Sequence, residues 1–182
     1  MNLTRIFIFF LLLLSMKALH SQRDVPAYIA RYDSVAVAIM LEHQFPASLV
    51  LGLAIHESGA GTSRLSREQC NHFGMKGKRP SVKSKTGMIK GHLEFETDEA
   101  SFFHFARLVT DKKFYEKLRG NPDPVQWLKA LKRTGYATSS KWVARVNGII
   151  RKYNLTSYDH PMTDTVKMAF PTGDTLKIQP QP

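Results

Sequence analysis

The sequence predicts a mainly α-helical domain, on three kinds of observation. Apolar residues between Pro26 and Phe45 recur every three or four positions, which is the spacing of one helix face. Residues 49–55 are apolar on nearly every side, as in a buried helix. Thr97 and Asp123 precede further apolar segments in the manner of helix N-caps. Periodicity, an apolar run and capping residues therefore agree on helices.

The elements can be placed in chain order. A first helix is expected over residues 26–45. Pro46 suits the first turn of a second helix, because its missing N–H would be unpaired there. Ser58, Gly59 and Gly61 end that second helix. Glu57 is thereby placed at the last turn of a buried helix.

The second half of the chain follows the same logic. Residues 76–92 hold glycine, proline and many cations without a helical period, which predicts an exposed loop or a small two-stranded lobe. Helices are expected from Thr97, from Asp123 to Gly135, and from Thr138 or Ser139 to Asn154. Residues 160–182 form a tail whose alternating apolar positions predict a β-hairpin.

Length and composition limit the architecture. A chain of 182 residues suits one domain with a tail, and 43% hydrophobic with 23% charged residues exclude global disorder. The single cysteine, Cys70, excludes an internal disulfide and a thiolate zinc site, and we expect it to be a small buried apolar residue.

Residues 1–21 are typical of a secretory signal peptide. Arg5 precedes an apolar run at 6–16, and small or polar residues follow it. A run of about 11 residues is shorter than the ~20 that span a bilayer. We therefore expect an exported protein, periplasmic or extracellular, with no stable membrane insertion after cleavage.

The formal net charge of +11 favours polyanionic partners. The densest basic stretch, at 76–90, has no aromatic residue on which a base could stack, so nucleic acid is not expected. For an exported protein, the remaining polyanions include cell-wall polymers.

Glu57 is the leading candidate for chemistry. A carboxylic acid at the end of an apolar helix, beside a glycine turn, would be partly desolvated and still reachable. Such an acid can keep its proton available for cleavage of a glycosidic bond. The alternative on position alone is a glutamate that points into solvent.

Three ordered blocks carry a family resemblance: FPASLVLGLAIHESGAGTSRLS, NHFGMKG and GYATSSKWVARVNGIIRKYNL. They resemble the bacterial glucosaminidase family of peptidoglycan hydrolases, which includes flagellar rod-assembly hydrolases and autolysins. The resemblance covers roughly residues 26–159 and implies a lysozyme-like helical domain at 22–159 with a small β-lobe across a groove. It also implies endo-acting cleavage of the glycan strand after N-acetylglucosamine, by a monomer whose partner is peptidoglycan.

The resemblance also assigns roles to residues. Glu57 matches the family's general acid, and Tyr136 matches a tyrosine that positions the acetamido group or the attacking water. Ala60 departs from the tryptophan of many members, which places sugar affinity in question. The candidate substrate contacts, some with structural alternatives, are Asn71, Phe73, Lys76, Thr138 and Trp142.

The second carboxylate is less defined. Residues 84–88, where several members have a glutamate, contain no acid, so Glu94 and Glu96 are the nearest candidates. The alternative is that the substrate's own acetamido group acts as nucleophile.

Other classes of function find less support. His56 precedes Glu57 without the second histidine of a zinc helix, so neither a metal nor another cofactor is expected. A muramidase or lytic transglycosylase would use the same scaffold, and a non-catalytic wall-binding module would explain Ala60. A membrane-active cationic protein would need a basic amphipathic helix. The basic residues of this sequence cluster instead in the glycine-bearing stretch at 76–90.

Overall fold

The computed structural model describes residues 24–77 and 91–159, and the prediction of a mainly α-helical domain is confirmed there. The described residues form α1 (Val25–His43), α2 (Ala47–Ser58), α3 (Arg64–Gln69), α4 (Asp98–Thr110), α5 (Tyr115–Leu118), α6 (Pro124–Arg133) and α7 (Trp142–Lys152), followed by the 3-10 helix Leu155–Tyr158.

The helix boundaries follow the capping signals. Asp24 caps α1 by accepting a hydrogen bond from the Ala27 N–H at 3.0 Å. Thr97 caps α4 and Asp123 caps α6 in the same way, as predicted. Pro46 lies one residue before α2 rather than in its first turn. Local side-chain chemistry thus fixes where most of the long helices begin.

The structure differs from the predicted elements in two respects. Helix α7 begins at Trp142 rather than at Thr138 or Ser139, because Ser139 forms a turn in which its carbonyl accepts from the Trp142 N–H. The short helices α3 and α5 were not predicted, since six and four residues are too few to show a helical period.

The predicted lobe at 76–92 lies mostly outside the described residues. Its base is visible as an isolated antiparallel bridge between Lys76 and His92. Beside that bridge, the Leu93 N–H donates to the Met75 carbonyl at 2.9 Å. The signal-like residues 1–21 and the predicted hairpin at 160–182 also lie outside the described residues.

Helix α2 forms the centre of the packing. Every residue from Ala47 to Ile55 is buried, and α1, α7 and the 3-10 helix pack around it. At Gly52 the approach is so close that an added Cβ would lie 2.6 Å from Ile150 Cγ1 of α7. The buried helix that was predicted from residues 49–55 is therefore the core of the domain.

Two smaller findings complete the fold. Cys70 is only half-buried and ends α3 in a left-handed conformation, so the prediction of a buried apolar residue was wrong; partial burial raises the pKa of its thiol. Within residues 24–77 and 91–159, no helix has the length and apolar character to cross a membrane.

The carboxylate of Asp159 joins the end of the described chain to the start of α2. It accepts hydrogen bonds from the Ser48 N–H at 2.8 Å and from the Ser48 hydroxyl at 2.6 Å. Ser48 is fully buried in the first turn of α2, where backbone N–H groups lack helical partners and the helix dipole favours an anion. Asp159 therefore acts as a distant cap for the central helix.

Replacing Asp159 by Ala is expected to lower the free energy of unfolding by about 1–3 kcal/mol, because two donors at a buried helix start lose their acceptor. Urea denaturation followed by circular dichroism measures this change. Thr156→Ala, at an exposed position of the same 3-10 turn, is the control and should stay within about 0.5 kcal/mol of the parent. Equal losses in the two variants would contradict the capping role.

Candidate active site

Glu57 lies at the penultimate position of α2 and is half-buried. Helix α2 ends there because three consecutive residues adopt left-handed backbone conformations: Gly59 at φ 60°, Ala60 at φ 55° and Gly61 at φ 76°. A side chain at Gly61 would also meet the Tyr28 ring at 3.1 Å. We call residues 59–62 the left-handed turn, and it leaves Glu57 at the edge of the core.

Ser58 stabilises the left-handed turn from inside. Its hydroxyl donates to the Ala54 carbonyl at 2.6 Å and accepts from the Gly61 N–H at 2.8 Å. Ser58 is fully buried, so both bonds are sheltered from water. The position of Glu57 is therefore fixed by the helix before it and the turn after it.

The Glu57 carboxylate is held by a buried tryptophan. The indole Nε1–H of Trp142, the first residue of α7, donates to Glu57 Oε1 at 2.8 Å. The other carboxylate oxygen, Oε2, has no hydrogen bond among the described residues. Glu57 also lines a cleft of about 620 Å³, together with Ile149 of α7 and Tyr153, the residue that follows α7. One oxygen of the carboxyl is thus fixed and the other is available to a ligand.

Tyr136 belongs to the same cluster. Its ring lies 5.6 Å from the Trp142 ring, and its hydroxyl donates to the Phe73 carbonyl at 3.1 Å. Burial of the hydroxyl raises the pKa of Tyr136 well above its usual value, and the negative charge of Glu57 acts in the same direction. The phenol therefore remains protonated at neutral pH and can act as a hydrogen-bond donor.

The structure favours structural roles for three predicted substrate contacts. The Asn71 amide donates to the Met75 and Leu93 carbonyls and accepts from the Met75 N–H, which uses its bonding capacity on the backbone. Phe73 is 2% exposed and stacks on Phe105 at 4.3 Å. Trp142 is 4% exposed, so its ring has no open face for a sugar.

The remaining predicted residues lie outside the Glu57 cluster. Lys76 and Thr138 are exposed. Glu96 is exposed as well, while Glu94 is half-buried with Oε2 unpaired among the described residues. No described hydrogen bond or ion pair joins either glutamate to Glu57, so the second carboxylate stays a prediction.

A polar network that sequence analysis missed lies behind the left-handed turn. His72 Nδ1 is 2.7 Å from the Tyr28 hydroxyl, and Nε2 is 2.9 Å from Asp98 Oδ1 in a bent contact. Because the Asp98 carboxylate can only accept, the proton in its contact with His72 lies on Nε2. Asp98 Oδ2 accepts from Tyr32 at 2.6 Å and from Arg31 at 3.0 Å.

These contacts set the charge of Asp98. The contact with His72 has the largest effect and, with the bonds from Tyr32 and Arg31, holds the pKa of Asp98 at about 2 against the opposing effect of burial. The only sign of this network in the sequence was the spacing of Tyr28 and Tyr32, which places them on one face of α1. Their partners His72 and Asp98 lie 44 and 66 positions further along the chain. In the described part of the chain, no group of three or more acidic, histidine or cysteine side chains could hold a metal ion.

Comparison with known proteins identifies similar chains. A family profile described as mannosyl-glycoprotein endo-beta-N-acetylglucosaminidase matches residues 33–155. The exo-glucosaminidase LytG of Bacillus subtilis is 28% identical over 134 residues, which cover 64% of this chain and 47% of that protein. The chain thus spans about half the length of this relative.

Solved structures show the same fold. The catalytic domain of the autolysin Auto from Listeria monocytogenes superposes with a TM-score of 0.62 at 20% identity, covering 87% of this chain and 98% of that domain. The glycoside hydrolase domain of FlgJ from Salmonella typhimurium gives a TM-score of 0.60 at 22% identity, covering 74% and 91%. The lysozyme-like helical fold that the resemblance implied is confirmed.

Asp98→Asn is expected to destabilise the protein by about 2 kcal/mol at pH 7 and by less as the pH falls. The folded pKa of about 2 lies below the ordinary 3.8, so the carboxylate stabilises the fold fully above pH 5. That contribution is lost as the pH falls from about 4 through 2. Urea unfolding of the parent and the variant at pH 7, 5 and 3 measures how the contribution of Asp98 to stability changes with pH.

The control is Glu99→Gln, which removes an exposed acid from the same helix turn. Its effect on stability should be small at each pH. A loss in Asp98→Asn that is the same at pH 7 and pH 3 would show that the network depends on packing rather than on the charge of Asp98.

Proposed function

Because the chain belongs to the glucosaminidase family, we propose that it is an endo-acting glycoside hydrolase that cleaves peptidoglycan strands after N-acetylglucosamine. One observation carries the proposal: the Glu57 carboxyl lines an open cleft and is fixed through one oxygen by Trp142. The relative LytG is named an exo-glucosaminidase, whereas the family is described as endo-acting. Cleavage within the strand rather than at its end is therefore a separate part of the proposal.

Glu57 would act as the general acid. Hydrolysis of a glycosidic bond requires a proton on the leaving oxygen, delivered by a carboxylic acid whose position is fixed. The Trp142 N–H occupies Oε1, which leaves Oε2 to carry the proton toward the substrate. Partial burial at the end of α2 limits competition from water at this carboxyl.

Tyr136 would serve as a donor rather than a base. Its raised pKa keeps the phenol protonated, so it can donate to the acetamido group of the bound sugar or to the attacking water. In the unliganded protein this hydroxyl donates to the Phe73 carbonyl instead. Binding of substrate would exchange one acceptor for the other.

The second half of the reaction has two candidate routes. Glu94 or Glu96 would activate a water and invert the anomeric centre, or would act as a nucleophile with retention. The substrate's acetamido group, oriented by Tyr136, would also give retention. The anomeric configuration of the first product, observed by NMR before mutarotation, separates inversion from retention.

We infer that the protein acts outside the cytoplasm. The signal-like residues 1–21 support export, and the excess of cations supports association with the carboxylates of the wall. A muramidase, a lytic transglycosylase and a wall-binding module remain the competing functions. The two enzymes differ from a glucosaminidase in the sugar ends that they produce, and a wall-binding module produces none.

Glu57→Gln is expected to reduce turnover of insoluble peptidoglycan by at least about a thousandfold, because the amide cannot donate the proton that leaves with the glycan. Borohydride reduction of the digest followed by mass spectrometry identifies the new ends. Reduced N-acetylglucosamine from the parent alone supports the glucosaminidase proposal. Reduced muramic acid would instead indicate a muramidase, and anhydro ends would indicate a lytic transglycosylase. Binding without turnover by both proteins would indicate a wall-binding module.

Trp142→Phe is expected to lower kcat about 10- to 100-fold with little change in KM, because it removes one hydrogen bond to Glu57 and keeps the buried ring. Steady-state kinetics on soluble glycan fragments separates the two constants. Trp142→Tyr restores a donor and should recover part of kcat. Similar losses in both variants, together with reduced thermal stability, would assign Trp142 a packing role only.

A further inference from the structure

A second cleft also borders the left-handed turn. It has a volume of about 430 Å³ and lies between α1, α3 and the turn, with Arg31, Arg67 and His72 among its walls. We call it the arginine cleft. Ala60 and Thr62 line both this cleft and the cleft at Glu57, so the two clefts meet at the left-handed turn.

The acidic groups of the arginine cleft already have partners within the protein. Asp98 accepts from Tyr32 and Arg31 and contacts His72. Asp24 accepts from the Ala27 N–H as the cap of α1. Asp98 is therefore engaged through both of its oxygens, whereas Asp24 uses one oxygen as the helix cap.

The arginines, in contrast, retain unused donors. Arg31 donates to Asp98 through Nη2 alone, and its side chain is 67% exposed. The Arg67 guanidinium is exposed and forms no hydrogen bond or ion pair with any described residue. A guanidinium presents five N–H donors in a planar fork that matches a carboxylate. The cleft thus offers free donors to an anion of carboxylate geometry.

Ala60 lies at the boundary between the two clefts. It is 8% exposed and contributes a single methyl group at the wall that the clefts share. A large side chain at this position would occupy space between Glu57 and the arginines. A small residue at this boundary is compatible with one branched ligand that contacts both clefts.

We propose that the arginine cleft binds a carboxylate of the peptide stem of peptidoglycan while Glu57 engages the glycan of the same strand. This inference depends on the proposed function for its substrate. A strand with peptide stems is branched and anionic, which matches two adjacent clefts of which one is lined by arginines with free donors. The cleft would make the protein prefer glycan that still carries peptides.

The first test compares two substrates. Arg67→Gln should lower kcat/KM about tenfold on peptide-bearing strands and less than about twofold on strands stripped of peptide by an amidase. Arg133→Gln is the matched control, because it removes an equally exposed cation from the end of α6. Equal losses on both substrates, or equal losses in the two arginine variants, would overturn the proposal.

The second test does not require turnover. Calorimetry with the Glu57→Gln protein should show tighter binding of a soluble disaccharide-peptide than of the same disaccharide without peptide. Adding Arg67→Gln should remove that difference, and adding Arg133→Gln should keep it. Equal affinity for the two ligands would overturn the proposal that the arginine cleft binds the peptide stem, even if the enzyme is active. Absence of hydrolysis by the parent would instead overturn the proposed function. The difference in affinity between the two ligands would still show whether the arginine cleft binds the peptide stem.

Discussion

The burial of α2 is the constraint on which the rest of the structure depends. A helix with no polar face must be covered on all sides, and α1, α7 and the 3-10 helix provide that cover. Of the three polar residues at its carboxyl end, Ser58 stays buried, whereas His56 and Glu57 are half-buried at the edge of the core. Close packing at Gly52 then fixes α7 against α2, which brings Trp142 within hydrogen-bond distance of Glu57. Placement of the acid is thus a consequence of core packing.

Separate elements are linked to the carboxyl group through successive contacts. Helix α7 provides the indole donor, the segment before it provides Tyr136, and Tyr136 is bonded in turn to the Phe73 carbonyl. Phe73 stacks on Phe105 of α4, and α4 begins with the Asp98 that holds His72. A chain of direct contacts therefore runs from the Glu57 cluster to the polar network behind the left-handed turn. Preorganisation of this kind is what general acid catalysis requires.

The sequence predicted the features that depend on neighbours along the chain. The buried helix, the caps at Thr97 and Asp123 and the position of Glu57 follow from local patterns, and the structure has them. It could not predict which way Trp142 points, because either face of an amphipathic helix start can carry an aromatic ring. The pairing of His72 with Asp98 and Tyr28 was equally hidden, since it depends on how distant helices cross. Long-range side-chain direction is the information that a single sequence lacks.

The bond between Ser48 and Asp159 has a consequence for how the domain forms. The two residues lie 111 positions apart, and the later one completes the first turn of the helix around which everything else packs. During synthesis, α2 therefore lacks this cap until nearly all of the domain has emerged. Contacts of such high sequence separation slow folding and make it cooperative. The first turn of the central helix is thus completed only once residue 159 is present.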